Sequence, residues 1–143
     1  MATFGEDPWY DNEPVSEHHE GRGGVRAHYE ELHRALPDLH IDIHQRHVTD
    51  DHVILETTQS GTHERNWRGL PGTGREVEFD SCAVFAFDGQ GKLAGERVYY
   101  DRAELLRQLG VFHEPEEGIG QVLTPVLHPV TFARALVRNI RSG

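Results

Sequence analysis

The sequence predicts an α+β domain in which a curved antiparallel sheet wraps around helices. Two observations lead there. Apolar residues recur at steps of three and four over 25–36, and from Leu39 onward the period changes to two. The resulting order of helix, antiparallel strands and further helices is that of an α+β layer arrangement.

The opening 24 residues mix Pro8, Pro14, Gly21, Gly23 and Gly24 with acidic residues and show no sustained apolar period, so they read as loop with one short strand. Val25, Tyr29, Leu32 and Leu36 then form one stripe of a helix that Pro37 stops. Leu39, Ile41 and Ile43 alternate with His40, Asp42 and His44, the pattern of a strand with one dry and one wet face. A turn at Asp50-Asp51 leads to a second strand over 53–60, rich in aliphatic residues and threonine. The glycine-rich loop 69–74 leads to a third over 75–87. The turn 88–91 leads to a fourth over 92–100, completing a meander. Asp101 and Glu104 have the spacing of a capping box, with Leu105, Leu106 and Leu109 on the short helix that follows and Gly110 at its end. Residues 112–128 read as a linker. Over 129–141, Val130, Phe132, Ala133, Leu136, Val137 and Ile140 share one helical face, with Arg134, Arg138 and Arg141 opposite.

A length of 143 residues fits one domain, and a formal charge of -10 opposes binding to nucleic acid or to anionic membrane surfaces. Charge is segregated: Glu6, Asp7, Asp11, Glu13, Glu17 and Glu20 precede any lysine or arginine, whereas residues from Pro129 onward carry arginine and no acid. Cys82 stands alone, and no apolar run suits a signal peptide or a membrane span, so the expected address is the cytoplasm.

The runs Gly61-Thr-His63, Gly69-Leu-Pro-Gly-Thr-Gly-Arg75, Asp88-Gly-Gln-Gly-Lys92, Glu96-Arg-Val-Tyr-Tyr-Asp101 and Gln108-Leu-Gly110, with Leu36-Pro-Asp-Leu39 ahead of them, follow one another at characteristic spacings. Together they resemble the SnoaL-like family of polyketide cyclases and ester cyclases, over residues 9–110. The resemblance implies an NTF2-like conical barrel spanning 1–111, with an apolar pocket between sheet and helix and dimerisation through the outer face of the sheet. It also implies that the family's usual first helix is missing here, since Trp9-Tyr-Asp11 sits where that helix has already ended. The apolar face of 129–141 is a candidate to replace it, packing on the outside being the alternative.

By the same resemblance, the positions of the family's proton-transferring aspartate and histidine fall at Val98 and Ala83, and that of its asparagine at Asn12. Neither valine nor alanine moves a proton, which argues for shape-driven cyclisation rather than aldol chemistry. If Val98 faces inward, strand alternation places Glu96 and Tyr100 beside it, and Ser81 and Phe85 on either side of Ala83. Glu96 is then the candidate acid or base and Tyr100 the candidate hydrogen-bond donor to a developing oxyanion. The alternative for Glu96 is a salt bridge at the barrel rim. His63 could touch a ligand or fix a turn, and Arg75 could anchor the glycine-rich loop.

Of the 11 histidines, His40 and His44 share a strand face with Asp42, but they lack a near third ligand, His63 being distant, and His18-His19 is a weaker pair still. No metal and no cofactor are therefore expected. The expected function is cyclisation or isomerisation of a hydrophobic polyketide- or terpenoid-like intermediate in secondary metabolism, by a homodimer. The alternatives are a non-catalytic ligand-binding or dimerisation module and a limonene-type epoxide hydrolase, which would need an inward Asp-Arg-Asp cluster.

Overall fold

The structure, a computed structural model, describes residues 3–112 together with Val126, Pro129 and Val130. The expected linker and the expected helix at 129–141 otherwise lie outside the described residues. The chain divides into two compact units, Met1–Leu109 and Gly110–Gly143, and the elements described here belong to the first.

The α+β class is observed, but the sheet is mixed and has six strands rather than four. β1 (Phe4–Asn12) and β2 (Glu17–Glu20) form an antiparallel hairpin around a 3-10 turn (Glu13–Val15). This replaces the loop expected for the opening segment. Pro8, Tyr10 and Asn12 alternate inward along β1, and because two of these three are proline and asparagine, the alternation carries no hydrophobic signature. β1 lies parallel to β6 (Leu93–Tyr100), and their register shifts between Phe4 and Trp9. Pro8 falls in that gap, where its missing N–H would otherwise break the ladder.

α1 (Gly21–Ala35) begins earlier than the periodicity indicates. Gly21 has a φ of 69°, a left-handed conformation that suits glycine and turns the chain from β2 straight into the helix. The buried stripe of α1 is Val25, His28 and Ala35, so a histidine occupies an apolar position of the pattern. The helix packs on β1 and β2.

β3 (His40–Val48), β4 (His52–Thr62), β5 (Glu76–Phe87) and β6 form the expected meander, and the full strand order is β2-β1-β6-β5-β4-β3. The β4–β5 ladder runs from His52↔Ala86 to Thr62↔Glu76. Every residue of β3 is exposed, Ile41 to 49% and Ile43 to 51%. The expected dry face of this strand is therefore not buried within the chain. α2 (Arg102–Gln108) is capped as predicted, the Glu104 amide donating to Asp101 Oδ1 at 3.1 Å, and packs on β5.

The core consists of two apolar clusters. One joins Ala35 and Leu36 to Trp67, Val77, Phe79, Leu105 and Leu109. The other joins Val25 to Tyr10, Ala83 and Val98. Tyr100 packs against both. On the opposite face of the sheet, the Trp9 indole lies so close over Gly95 that a Cβ there would meet it at 2.1 Å, so only glycine fits beneath the ring.

Candidate functional site

Where the two clusters meet, Leu32, Trp67, Phe79 and Val98 wall a cavity of about 30 Å³, with Tyr10, Asn12, His28, Gln59 and Tyr100 supplying its polar lining. That is room for a water molecule or two. A larger hollow of about 580 Å³ opens on the surface around Asp38, Glu78 and Gln108. Its polar groups already satisfy one another: Thr62 Oγ1 donates to Asp38 at 2.7 Å, and the Glu78 amide donates to Gln108 at 2.7 Å. The small chamber differs in having polar atoms without partners.

Asn12 is 4% exposed and its Oδ1 has no hydrogen-bond partner; His28 is 5% exposed and its Nε2 has none. Burial of an unpaired polar atom costs about 1–3 kcal/mol, so a water or ligand that reached these atoms would be held by them. The His28 ring stacks on Tyr10 with centroids 4.0 Å apart. Its pKa is pushed down to about 4, chiefly by burial and then by the nearby His19, so the ring is neutral at pH 7. Burial raises the pKa of the Tyr10 hydroxyl, assisted by the charge of Glu96, and burial raises that of Tyr100. Asn12 beside the two hydroxyls partly offsets the rise. Both tyrosines therefore stay protonated and able to donate.

Of the residues singled out in the sequence, Asn12, Val98 and Tyr100 line the chamber. Ala83 lies behind it, paired with Val98 across β5 and β6. Ser81 is buried in a hydroxyl chain with Thr57 Oγ1 at 2.7 Å and accepts from Gln59 Nε2 at 2.9 Å, which fixes Gln59 in the wall. Phe85 packs on the second cluster opposite Glu96.

Glu96 is not among the residues that enclose the chamber. It stands four positions before Tyr100 on β6, about 13 Å along the strand, and beside Tyr10, its register partner on β1. Its partner is Tyr29, whose hydroxyl donates to the carboxylate; burial raises the Glu96 pKa and the Tyr29 bond holds it partly down. Among the described residues, Glu96 makes no rim salt bridge either. Arg97 points to the other face and pairs with Asp11 at 3.0 Å and Glu13 at 3.1 Å, beneath the Trp9 ring. The inward Asp-Arg-Asp cluster of an epoxide hydrolase is thus not assembled around it.

His63, fully buried, fixes the turn: its amide donates to Arg75 O at 2.9 Å, and its Nδ1 lies 3.2 Å from Thr73 Oγ1. Arg75 reaches Gln108 O at 3.4 Å, anchoring the loop to α2. On β3, His40 pairs with Asp42 at 3.1 Å and His44 with Thr58 at 2.7 Å, all on the surface. Among the described residues, the group of histidines and carboxylates whose donor atoms lie within 4.8 Å of one another is instead Glu17, His19 and His28.

Sequence reasoning missed Tyr10 and His28. His28 stands three residues after Val25 and four before Leu32, on the apolar stripe itself, and that spacing was the available signal.

A family model described as SnoaL-like polyketide cyclase matches residues 2–109. No curated protein matches the chain significantly. Among solved structures, a candidate SnoaL-like polyketide cyclase from Jannaschia sp. CCS1 superposes with a TM-score of 0.70 at 18% identity, covering 76% of this chain and 74% of that one. A protein of ketosteroid isomerase-like fold from Catenulispora acidiphila, in complex with trimethylamine, gives 0.66 at 17% identity over 77% and 78%. IdmH, a candidate polyketide cyclase from Streptomyces antibioticus, gives 0.63 at 20% identity over 78% and 84%. Among the described residues, no helix is long and apolar enough to cross a membrane.

Proposed function

The chain belongs to the SnoaL-like polyketide cyclase family, and from that premise we propose that it binds a hydrophobic polyketide- or terpenoid-like intermediate between α1 and the sheet and promotes its cyclisation or isomerisation. The observation that carries this reading is the unpaired Asn12 Oδ1 facing a chamber that two protonated tyrosines also line. A substrate hydroxyl would donate to Asn12. The Tyr10 and Tyr100 hydroxyls would donate to a carbonyl oxygen as negative charge develops on it, and the apolar walls would hold the chain in a reactive fold. With Val98 and Ala83 at the two positions expected for proton-transfer groups, hydrogen-bond polarisation and shape carry the rate. No cofactor takes part in this step.

Glu96 acts as a positioning residue. It holds the Tyr29 hydroxyl, and Tyr29 in turn packs edge-on against Tyr10 at 5.8 Å and against His28 at 5.5 Å. A ligand of polyketide size needs several hundred Å³, so the walls must part on binding. The small resting volume favours one second reading, a non-catalytic binding module. A homodimer belongs to the proposal, since β3 presents Ile41, Ile43 and Val48 to solvent.

Native mass spectrometry of the purified protein, set against its denatured mass, tests the reading. An organic increment that leaves on unfolding is expected. Protein that stays bare when incubated with polycyclic aromatic polyketides overturns it.

A further inference from the structure

Beside the chamber, three side chains converge that the proposed reaction does not use. β2 reads Glu17-His18-His19-Glu20, and strand alternation turns Glu17 and His19 inward while His18 and Glu20 stay exposed. His28 descends on them from α1, its ring centroid 4.9 Å from that of His19. Ligand-capable atoms of Glu17, His19 and His28 all lie within 4.8 Å of one another.

The hydrogen bonding within this group is incomplete. His28 Nε2 is buried and has no hydrogen-bond partner, whereas His19 Nε2 has Glu17 Oε1 as its ion-pair partner at 2.9 Å. His28 is 5% exposed, so water does not satisfy it from outside. A buried imidazole nitrogen without a hydrogen bond is costly, and an ion held between the three groups would satisfy that of His28. Adjacent ligands on an ion with bonds of about 2.0–2.2 Å stand roughly 3 Å apart in octahedral and roughly 3.3–3.6 Å apart in tetrahedral geometry, so His19 and Glu17, at 2.9 Å, are close enough to share an ion. Arg68 holds the other oxygen of Glu17, orienting the carboxylate as an outer-shell partner does. The surface histidines contrast with this group, since His40, His44 and His47 each have an ordinary partner on β3 or β4.

We propose that Glu17, His19 and His28 form a two-histidine, one-carboxylate site for a divalent transition-metal ion of the zinc or iron(II) class. Two imidazoles and one carboxylate suit such ions and leave coordination positions for water or a ligand.

The test uses the full chain, stripped with chelator and titrated with Zn(II) by calorimetry and with Co(II) by visible absorption. One saturable equivalent is expected, with Co(II) ligand-field bands. His19→Gln and Glu17→Gln, at partly exposed positions, are each expected to weaken binding by about tenfold or more, with circular dichroism and melting showing that the fold is kept. A His40→Gln/His44→Gln double variant is expected to bind as the parent does. Absence of a saturable equivalent overturns the site, as does binding that His19→Gln and Glu17→Gln leave intact or that the β3 double variant abolishes.

Discussion

β2 and β3 are the two edges of one sheet, and both combine histidines with acidic residues, yet their fates differ. α1 folds back over β2, so His19 and Glu17 are drawn under a helix and beside His28. Nothing in the described chain covers β3, where His40, His44 and His47 pair with neighbours in solvent and Ile41 and Ile43 stay half exposed. The same residue types thus yield a partly buried cluster at one edge and ordinary surface contacts at the other. Coverage by a helix, not composition, separates a site from a surface.

The largest test of that contrast is packing. Leu36→Ala, at a fully buried position closing α1, should cost about 2–5 kcal/mol, whereas Ile41→Ala on β3 should cost less than about 1 kcal/mol in urea unfolding of dilute protein. A cost at Ile41 that grows with protein concentration would show that a second copy covers β3.

Next in size is the buried pair under α1. Tyr29→Phe removes the hydroxyl that Glu96 accepts from and leaves a buried carboxylate short of a partner, so a loss of about 1.5–3 kcal/mol is expected near neutral pH. At pH 4 the loss should shrink, because the carboxyl is then protonated.

Two groups in this region should respond to pH with opposite signs in metal-free protein. His28 has a folded pKa near 4, below its ordinary 6.5. Between those values the unfolded chain binds the proton and the folded one does not, so the stability this group contributes is present above 6.5 and lost as pH falls towards 4. Glu96 has a folded pKa raised above its ordinary 4.5. Its contribution is fully present below 4.5 and is lost as pH rises through the raised value, because the folded state keeps the proton longer. Urea unfolding across pH should therefore show the difference between parent and His28→Gln growing with pH, and that between parent and Glu96→Gln falling.

The smallest effect on stability, though a clear one on assembly, is expected at the bare edge. Ile41→Lys with Ile43→Lys should reduce the mass measured by light scattering to that of a monomer and leave the melting of dilute protein little changed. An unchanged mass removes β3 from the proposed dimer interface.

Much of this fold was legible because regular periodicity governs it. The meander, the cap at Asp101 and the end of α1 at Pro37 follow from alternation, spacing and proline chemistry. The first hairpin was not legible, because Pro8 and Asn12 fill inward positions where apolar residues would announce a strand. The site was half legible. Strand alternation put Val98 and Tyr100 on one face, where both line the chamber, but it could not show that Glu96 is left out of the lining, since that depends on how Tyr29 and Phe85 fill the space around it. His28 escaped notice because a histidine at a helical core position resembles a surface residue until the helix is docked.

The central claim is that the chamber between the two clusters receives a ligand through Asn12. The chain has two tryptophans, Trp67 in the chamber wall and Trp9 on the opposite face of the sheet, so Trp9→Phe leaves a single reporter at the site. Titrating that protein with an anthraquinone carboxylate while following Trp67 fluorescence is the direct test. The account predicts saturable quenching, with affinity reduced about tenfold or more when Asn12→Leu is added to a chain that still folds. Fluorescence that does not saturate, or an Asn12→Leu variant that binds as tightly as its parent, would contradict it.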